Sequence, residues 1–165
     1  MELNLCRDAE ASGSLGADST GRVWLLETLE TTRSLGQKLA LALPQNAILL
    51  LQGPLGAGKT SLVQGIAQAC GIKEPITSPT FALAQHYPQG QPPLVHLDLY
   101  RLEAPRAADE LFMQEEEEAR DLGALMAVEW PERLGMALHE AWQLELSHAG
   151  DGRRAQLTPP RKRST

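Results

Sequence analysis

The sequence predicts an α/β domain of three layers, with a mainly parallel central sheet and antiparallel additions, on three observations. Residues 47–52 form an unbroken apolar run without polar alternation, the pattern of a strand buried on both faces. A glycine-rich turn follows at once, and after it Leu62, Val63, Ile66, Ala67 and Cys70 recur at helical spacing. Two further short apolar runs, residues 94–97 and 124–128, each run directly into an acid, Asp98 and Glu129.

The remaining elements fit around these. Residues 1–21 carry scattered acidic, Ser and Gly residues and no apolar segment of the kind a signal peptide needs, which predicts a flexible arm. Residues 22–29 contain Val23, Trp24, Leu25 and Leu26 and predict a strand. Thr31 then offers an N-cap for a helix with Leu35, Leu39 and Leu43 on one stripe, stopped by Pro44 and Asn46. Gly71 stands where the helix after the glycine-rich turn needs a left-handed residue. Residues 77–80, Thr-Ser-Pro-Thr, lead into an expected strand over 81–87 and a turn over 88–93. Residues 104–120 are helical in composition and very acidic, and Glu115, Glu116, Glu117 and Glu118 read as a solvated helix face. Trp130-Pro131 opens a short helix. Residues 141–147 and 153–157, joined by Ala-Gly-Asp-Gly, predict a hairpin, and residues 159–165 form a basic, loose tail. One folded domain over 22–158, between arm and tail, is the expected organisation.

A chain of 165 residues, 42% hydrophobic and 22% charged, suits one core and hardly two. Fifteen Lys and Arg against 21 Asp and Glu give a net charge of -6, which disfavours a surface built for wholesale nucleic-acid binding. Two cysteines make no disulfide framework, and no Cys/His cluster has zinc-ligand spacing. A reducing cytoplasm fits that usage. The longest apolar run is far too short to cross a bilayer, so no membrane role is expected.

The chemistry starts at Gly53-Pro54-Leu55-Gly56-Ala57-Gly58-Lys59-Thr60. Glycines let successive backbone N–H groups converge on oxygen atoms, and the helix that follows presents the positive end of its dipole to an anion. Lys59 would place its ammonium on the terminal phosphates, and the Thr60 hydroxyl would ligate Mg²⁺. A bland tight turn would use the glycines for packing alone, but the strand and helix on either side are those a phosphate loop requires. The fold class is therefore P-loop NTPase-like. Gly53, Leu55, Gly56, Ala57, Gly58, Lys59, Thr60 and Ser61 are the candidate residues for binding ATP or ADP.

Ligands of open α/β sheets bind beyond the carboxyl ends of the strands. If the strands ending at Gly53, Asp98 and Glu129 lie parallel in one sheet, both acids share the crevice of the phosphate loop. Thr60, Asp98 and Glu129 are then the candidate Mg²⁺ residues, and Lys59, Asp98 and Glu129 the candidate catalytic ones. Either acid could instead be a strand-terminal group facing solvent. Thr80 sits in a Ser-Pro-Thr segment that is either a nucleotide-responsive switch or an ordinary turn. Trp130 is placed to stack on a base or to fill the core, and His96, inside a strand, reads as a hydrogen-bonded structural histidine.

Four blocks in order resemble the TsaE, or YjeE, family of small bacterial ATPases needed to make threonylcarbamoyladenosine in tRNA. They are residues 53–60, Ser78-Pro79-Thr80-Phe81, His96-Leu97-Asp98-Leu99-Tyr100-Arg101 and Val128-Glu129-Trp130-Pro131. The resemblance spans residues 22–157. It implies that Lys59 serves the phosphates, that Thr60 and Asp98 hold Mg²⁺ with Glu129 beside it, that Thr80 belongs to a switch and that Trp130 lies against the base. It also implies an accessory ATPase that binds a TsaB–TsaD transferase complex and resets it between turnovers, meeting tRNA only through that complex. Pro54 stands where the family commonly has Asp, and the stretch between Arg101 and Ala124 is longer and more acidic than usual, so nothing is carried over there.

Two other functions fit a short phosphate-loop chain. A small-molecule kinase needs an arginine-bearing lid, whereas the stretch after Arg101 and Arg106 is acidic. A nucleotide-dependent binding module would use the acidic run and the basic tail for partners. No arginine finger is evident in the sequence, so slow turnover stimulated by a partner is expected.

Overall fold

The computed structural model describes residues 21–77 and 83–161. The elements run β1 (Arg22–Leu26), α1 (Leu29–Ala42), β2 (Ile48–Gln52), α2 (Lys59–Ala69), β3 (Ala84–Tyr87), β4 (Leu94–Asp98), α3 (Pro105–Leu122), β5 (Leu125–Glu129), a 3-10 turn (Pro131–Arg133), β6 (Trp142–Ala149) and β7 (Gly152–Thr158). The seven strands form one sheet in the order β1-β7-β6-β2-β5-β4-β3. Its centre is parallel, because β2 pairs in parallel with both β5 and β6, and β4 pairs in parallel with β5. The antiparallel additions are β1 and β7 on one side and β3 on the other.

Alternation along the central strands sorts the core into two layers. Leu49, Leu51, Leu125 and Ala127 pack with Leu35 of α1 and Leu62 and Ile66 of α2. Leu50, Val95, Leu97, Met126 and Val128 pack on the other face with Phe112 of α3. The same alternation sends His96, Asp98 and Glu129 to the side of α2, in phase with Leu94, Leu125 and Ala127.

Helix α1 starts one turn earlier than the sequence suggests. Thr28, not Thr31, is the N-cap: the Thr31 N–H donates to Thr28 Oγ1 at 3.1 Å, and the Thr28 N–H donates to Thr31 Oγ1 at 2.9 Å. Thr31 is thus the N3 partner of a reciprocal capping box, with a hydroxyl doing what Glu or Gln commonly does. Helix α2 ends as expected, with Gly71 at φ 72° and the Ile72 N–H reaching back to the Ala67 carbonyl. The two helices nearly touch through their backbones. A Cβ on Gly65 would lie 2.0 Å from the Arg33 carbonyl oxygen, and one on Gly36 would lie 2.2 Å from that of Leu62. This contact locks α2, and with it the end of the phosphate loop, onto α1.

The acidic run differs from its sequence reading. Glu115 is buried on the inner stripe of α3 with Ala108, Phe112 and Ala119, while Glu117 and Glu118 face solvent. Its carboxylate bonds His86 Nε2 on β3, so one acid of the four ties the edge strand to the helix. The segment with Ser78, Pro79, Thr80 and Phe81 lies outside the described residues, as do residues 1–20 of the arm and residues 162–165. Of the tail, the Arg161 N–H donates to the His139 carbonyl at 3.0 Å. Among the described residues no helix is long and apolar enough to cross a membrane.

Candidate functional site

Because β2, β4, β5 and β6 point the same way, Gly53, Asp98 and Glu129 all emerge at one edge of the sheet. Asp98 and Glu129 are direct register partners, and Leu51 pairs with Glu129 across the other seam. The phosphate loop turns over this edge. The Ala57 N–H closes its tip onto the Pro54 carbonyl at 3.1 Å, and Gly58, left-handed at φ 104°, launches α2. Leu55 is exposed at the tip, Ala57 is buried beneath it, and Ser61 is partly covered in the first turn of α2.

Lys59 is buried, which is unusual for a lysine and needs partners. Its Nζ donates to the Gly53 carbonyl at 2.6 Å and lies 3.5 Å from the centroid of the Trp130 ring. Burial pushes its pKa below 10.5, and the nearby charges of Glu129, Glu132 and Asp98 act against that shift.

Glu129 is also buried and is held from two sides. Thr60 Oγ1 donates to it, at 3.3 Å from Oε1 and 3.5 Å from Oε2, while His96 Nε2 sits 2.6 Å from Oε2. His96 is therefore hydrogen-bonded and structural, as its place in a strand predicts, but the group it holds is a site carboxylate. Asp98 Oδ1 accepts the Tyr100 N–H at 3.0 Å. Trp130 leaves β5 in a left-handed conformation, φ 59° and ψ 50°, which swings its ring back over Lys59, with the Tyr100 ring 4.8 Å away. Thr60 Oγ1 on the Glu129 carboxylate, with Asp98 the register partner of Glu129 on the neighbouring strand, is an all-oxygen donor set, the chemistry Mg²⁺ takes when phosphates and water complete its shell. Among the described residues no group of three or more His, Cys, Asp or Glu forms a metal cage on its own.

Lys59, Thr60, Asp98, Glu129 and Trp130 thus share one edge with the loop, whereas Thr80 is outside the described residues. The sequence reading missed Glu132, whose charge acts on Lys59, and Arg153, whose Nη2 donates to the Gly56 carbonyl at 3.0 Å. Glu132 lies three residues after Glu129, in the 3-10 turn that follows β5. Arg153 carried no local signal, because it meets the loop only through the sheet order.

Comparison with known proteins agrees with this architecture. The family described as "Threonylcarbamoyl adenosine biosynthesis protein TsaE" matches residues 26–156. A tRNA threonylcarbamoyladenosine biosynthesis protein TsaE from Nostoc is 39% identical, covering 86% of this chain and 88% of its own. The protein of that name from Synechocystis is 47% identical over 67% of this chain and 71% of its own, and that from Bacillus subtilis 31% identical over 79% and 80%. Among solved structures, YdiB from Bacillus subtilis superposes with a TM-score of 0.65 at 26% identity, covering 85% of this chain and 86% of that one.

Proposed function

The chain belongs to the TsaE family of tRNA threonylcarbamoyladenosine biosynthesis, and from that premise we propose that it is a Mg²⁺-dependent ATPase that serves a TsaB–TsaD-type transferase complex in the cytoplasm. The observation that carries this reading is the Thr60 hydroxyl donating to Glu129 at the foot of a phosphate loop whose lysine is the preceding residue. In this reading the phosphates of ATP are bound by the Lys59 ammonium and by backbone N–H groups of residues 55–61 other than that of Ala57, which bonds the Pro54 carbonyl. Thr60, Asp98 and Glu129 would hold Mg²⁺, which would supply positive charge against the phosphate oxygens.

Hydrolysis then needs positioning and charge stabilisation, with no covalent intermediate. Glu129, oriented by His96, would hold the attacking water. Lys59 Nζ lies 3.5 Å from the centroid of the Trp130 ring, so the ring and a phosphate oxygen would share one ammonium. The transferase complex and tRNA act on the cycle from outside the chain, the tRNA through that complex alone.

The test uses purified protein with MgATP, with and without the transferase complex, and cells that lack the gene. Slow hydrolysis, stimulation by the complex and restoration of the tRNA modification by wild type but not Lys59→Ala are expected. A phosphorylated small metabolite as the product would replace this reading with a kinase, and restoration by Lys59→Ala would remove the phosphate-loop role.

A further inference from the structure

Strand β6 is eight residues long, yet its pairing with β2 ends at Gln52 and Glu145. Its last four residues run past the end of β2 and return as β7 through a tight turn at Gly150 and Asp151, with Ala149 paired to Gly152. The hairpin therefore stands beside the phosphate loop. The two backbones are in close contact, since a Cβ on Gly53 would lie 2.4 Å from the Leu146 carbonyl oxygen.

Arg153, the second residue of β7, reaches across this seam. Its Nη2 donates to the Gly56 carbonyl at 3.0 Å and its Nη1 to the Gly152 carbonyl at 2.9 Å, while its Nε is buried without a partner. Among the described residues no carboxylate lies within ion-pair distance of this guanidinium. Arg153 is half-buried. It gives its bonds to main-chain carbonyls, one of them in the phosphate loop, and sets a positive charge beside it. The consequence for the loop is geometric. The Gly56 carbonyl and the Ala57 N–H belong to one planar peptide, and the structure bonds both ends: the carbonyl to Arg153, the N–H to Pro54.

We propose that Arg153 is a positioning residue for the phosphate loop, bracing the Gly56–Ala57 peptide from the β6–β7 hairpin so that the loop is set for a triphosphate before one arrives. The acids stand on the β4–β5 flank of the loop and Arg153 on the β6–β7 flank, so the phosphate chain lies between opposite charges. Bracing of this kind lowers the ordering cost of binding. It also pulls on the hairpin whenever the loop changes shape. The proposal rests on the reading of residues 53–60 as a phosphate site.

The experiment measures the dissociation constants of MgATP and inorganic tripolyphosphate for wild type, Arg153→Met and Arg153→Lys, with the melting temperature of each without ligand. Arg153→Met is expected to weaken both ligands by roughly tenfold, the loss of one charge-assisted hydrogen bond. Arg153→Lys, which keeps the charge and one reach of donor, recovers part of that loss. Ligand-free melting stays within about 2 °C of wild type. Wild-type affinity in Arg153→Met overturns the proposal and leaves the phosphate site standing. A parallel loss in both variants that tracks a lowered melting temperature also overturns it, as mere folding damage. Absence of binding by wild type itself would instead remove the phosphate-site reading, and this inference with it.

Discussion

His96 Nε2 lies 2.6 Å from Glu129 Oε2, and both side chains are sealed from solvent beneath the phosphate loop. Neighbouring parallel strands supply them, with His96 opposite Ala127 and Asp98 opposite Glu129. The imidazole thus fixes the carboxylate that the Thr60 hydroxyl also reaches. Replacing His96 by Leu fills the space with an apolar side chain but leaves Glu129 with one fewer donor. A loss of about 1–3 kcal/mol is expected, the usual cost of stranding a buried polar group. Urea unfolding of the variant measures it, and MgATP hydrolysis should fall further than the stability loss explains. A variant as stable and as active as wild type would show that Glu129 does not need this partner.

Lys59 gives a pH dependence with a definite sign. In the free protein burial holds its pKa below 10.5, although Glu129, Glu132 and Asp98 oppose the shift. A bound polyphosphate adds negative charge and raises that pKa again. Binding therefore takes up a proton between the two values. The lysine's contribution to affinity is complete below the free-protein pKa and declines as pH rises from there toward the bound value. Calorimetry with MgATP from about pH 7 to about pH 10 reads this directly. The decline should begin below the ordinary lysine range, and a flat affinity across that interval is the contrary result.

What could be read from the sequence follows the distance over which each feature is encoded. The loop over 53–60, the acids Asp98 and Glu129, and the hairpin after Ala141 are local patterns, and each stands where its pattern places it. The shared edge depended on one assumption, that three strands run parallel, and the sheet order meets it. Arg153 was not legible, because its partner Gly56 is 97 residues away and β6 must be known to lie beside β2. The Thr28 cap was misplaced by one turn because two threonines three residues apart offer the same side chain to the same helix end. In the acidic run, composition suggested four equivalent solvated charges, but a helix can turn only part of a four-residue run outward, and Glu115 falls in phase with Phe112 and Ala119.

That phase separates two glutamates of identical chemistry. Glu115 bonds His86 across the gap between α3 and β3, whereas Glu117 is solvated. Glu115→Ala should cost about 1–3 kcal/mol, since it removes a part-buried hydrogen bond and opens the seam that holds the edge strand. Glu117→Ala should stay within about 0.5 kcal/mol of wild type. Parallel denaturation of the two variants gives the comparison, and equal stabilities would return Glu115 to the solvated face.

The backbone contact between α1 and α2 ranks two glycine substitutions that look alike in sequence. Gly71 has φ 72° and open space around a Cβ, so Gly71→Ala meets only the left-handed penalty of about 1–2 kcal/mol. Gly65 lies within α2, where Ala is the better helix former, and propensity alone would make Gly65→Ala stabilising by about 1 kcal/mol. Its Cβ, however, would sit 2.0 Å from the Arg33 carbonyl oxygen and 2.7 Å from the carbonyl carbon, neither of which can swing aside as a side chain can. Helix α1 must retreat, which overpacking studies put at about 1–3 kcal/mol or more. The retreat also tilts α2, whose first residues are Lys59 and Thr60, so MgATP affinity should fall with stability in Gly65→Ala and stay near wild type in Gly71→Ala. Thermal melting with and without MgATP measures both, and a stabilised Gly65→Ala protein would mean that helix propensity outweighs the contact.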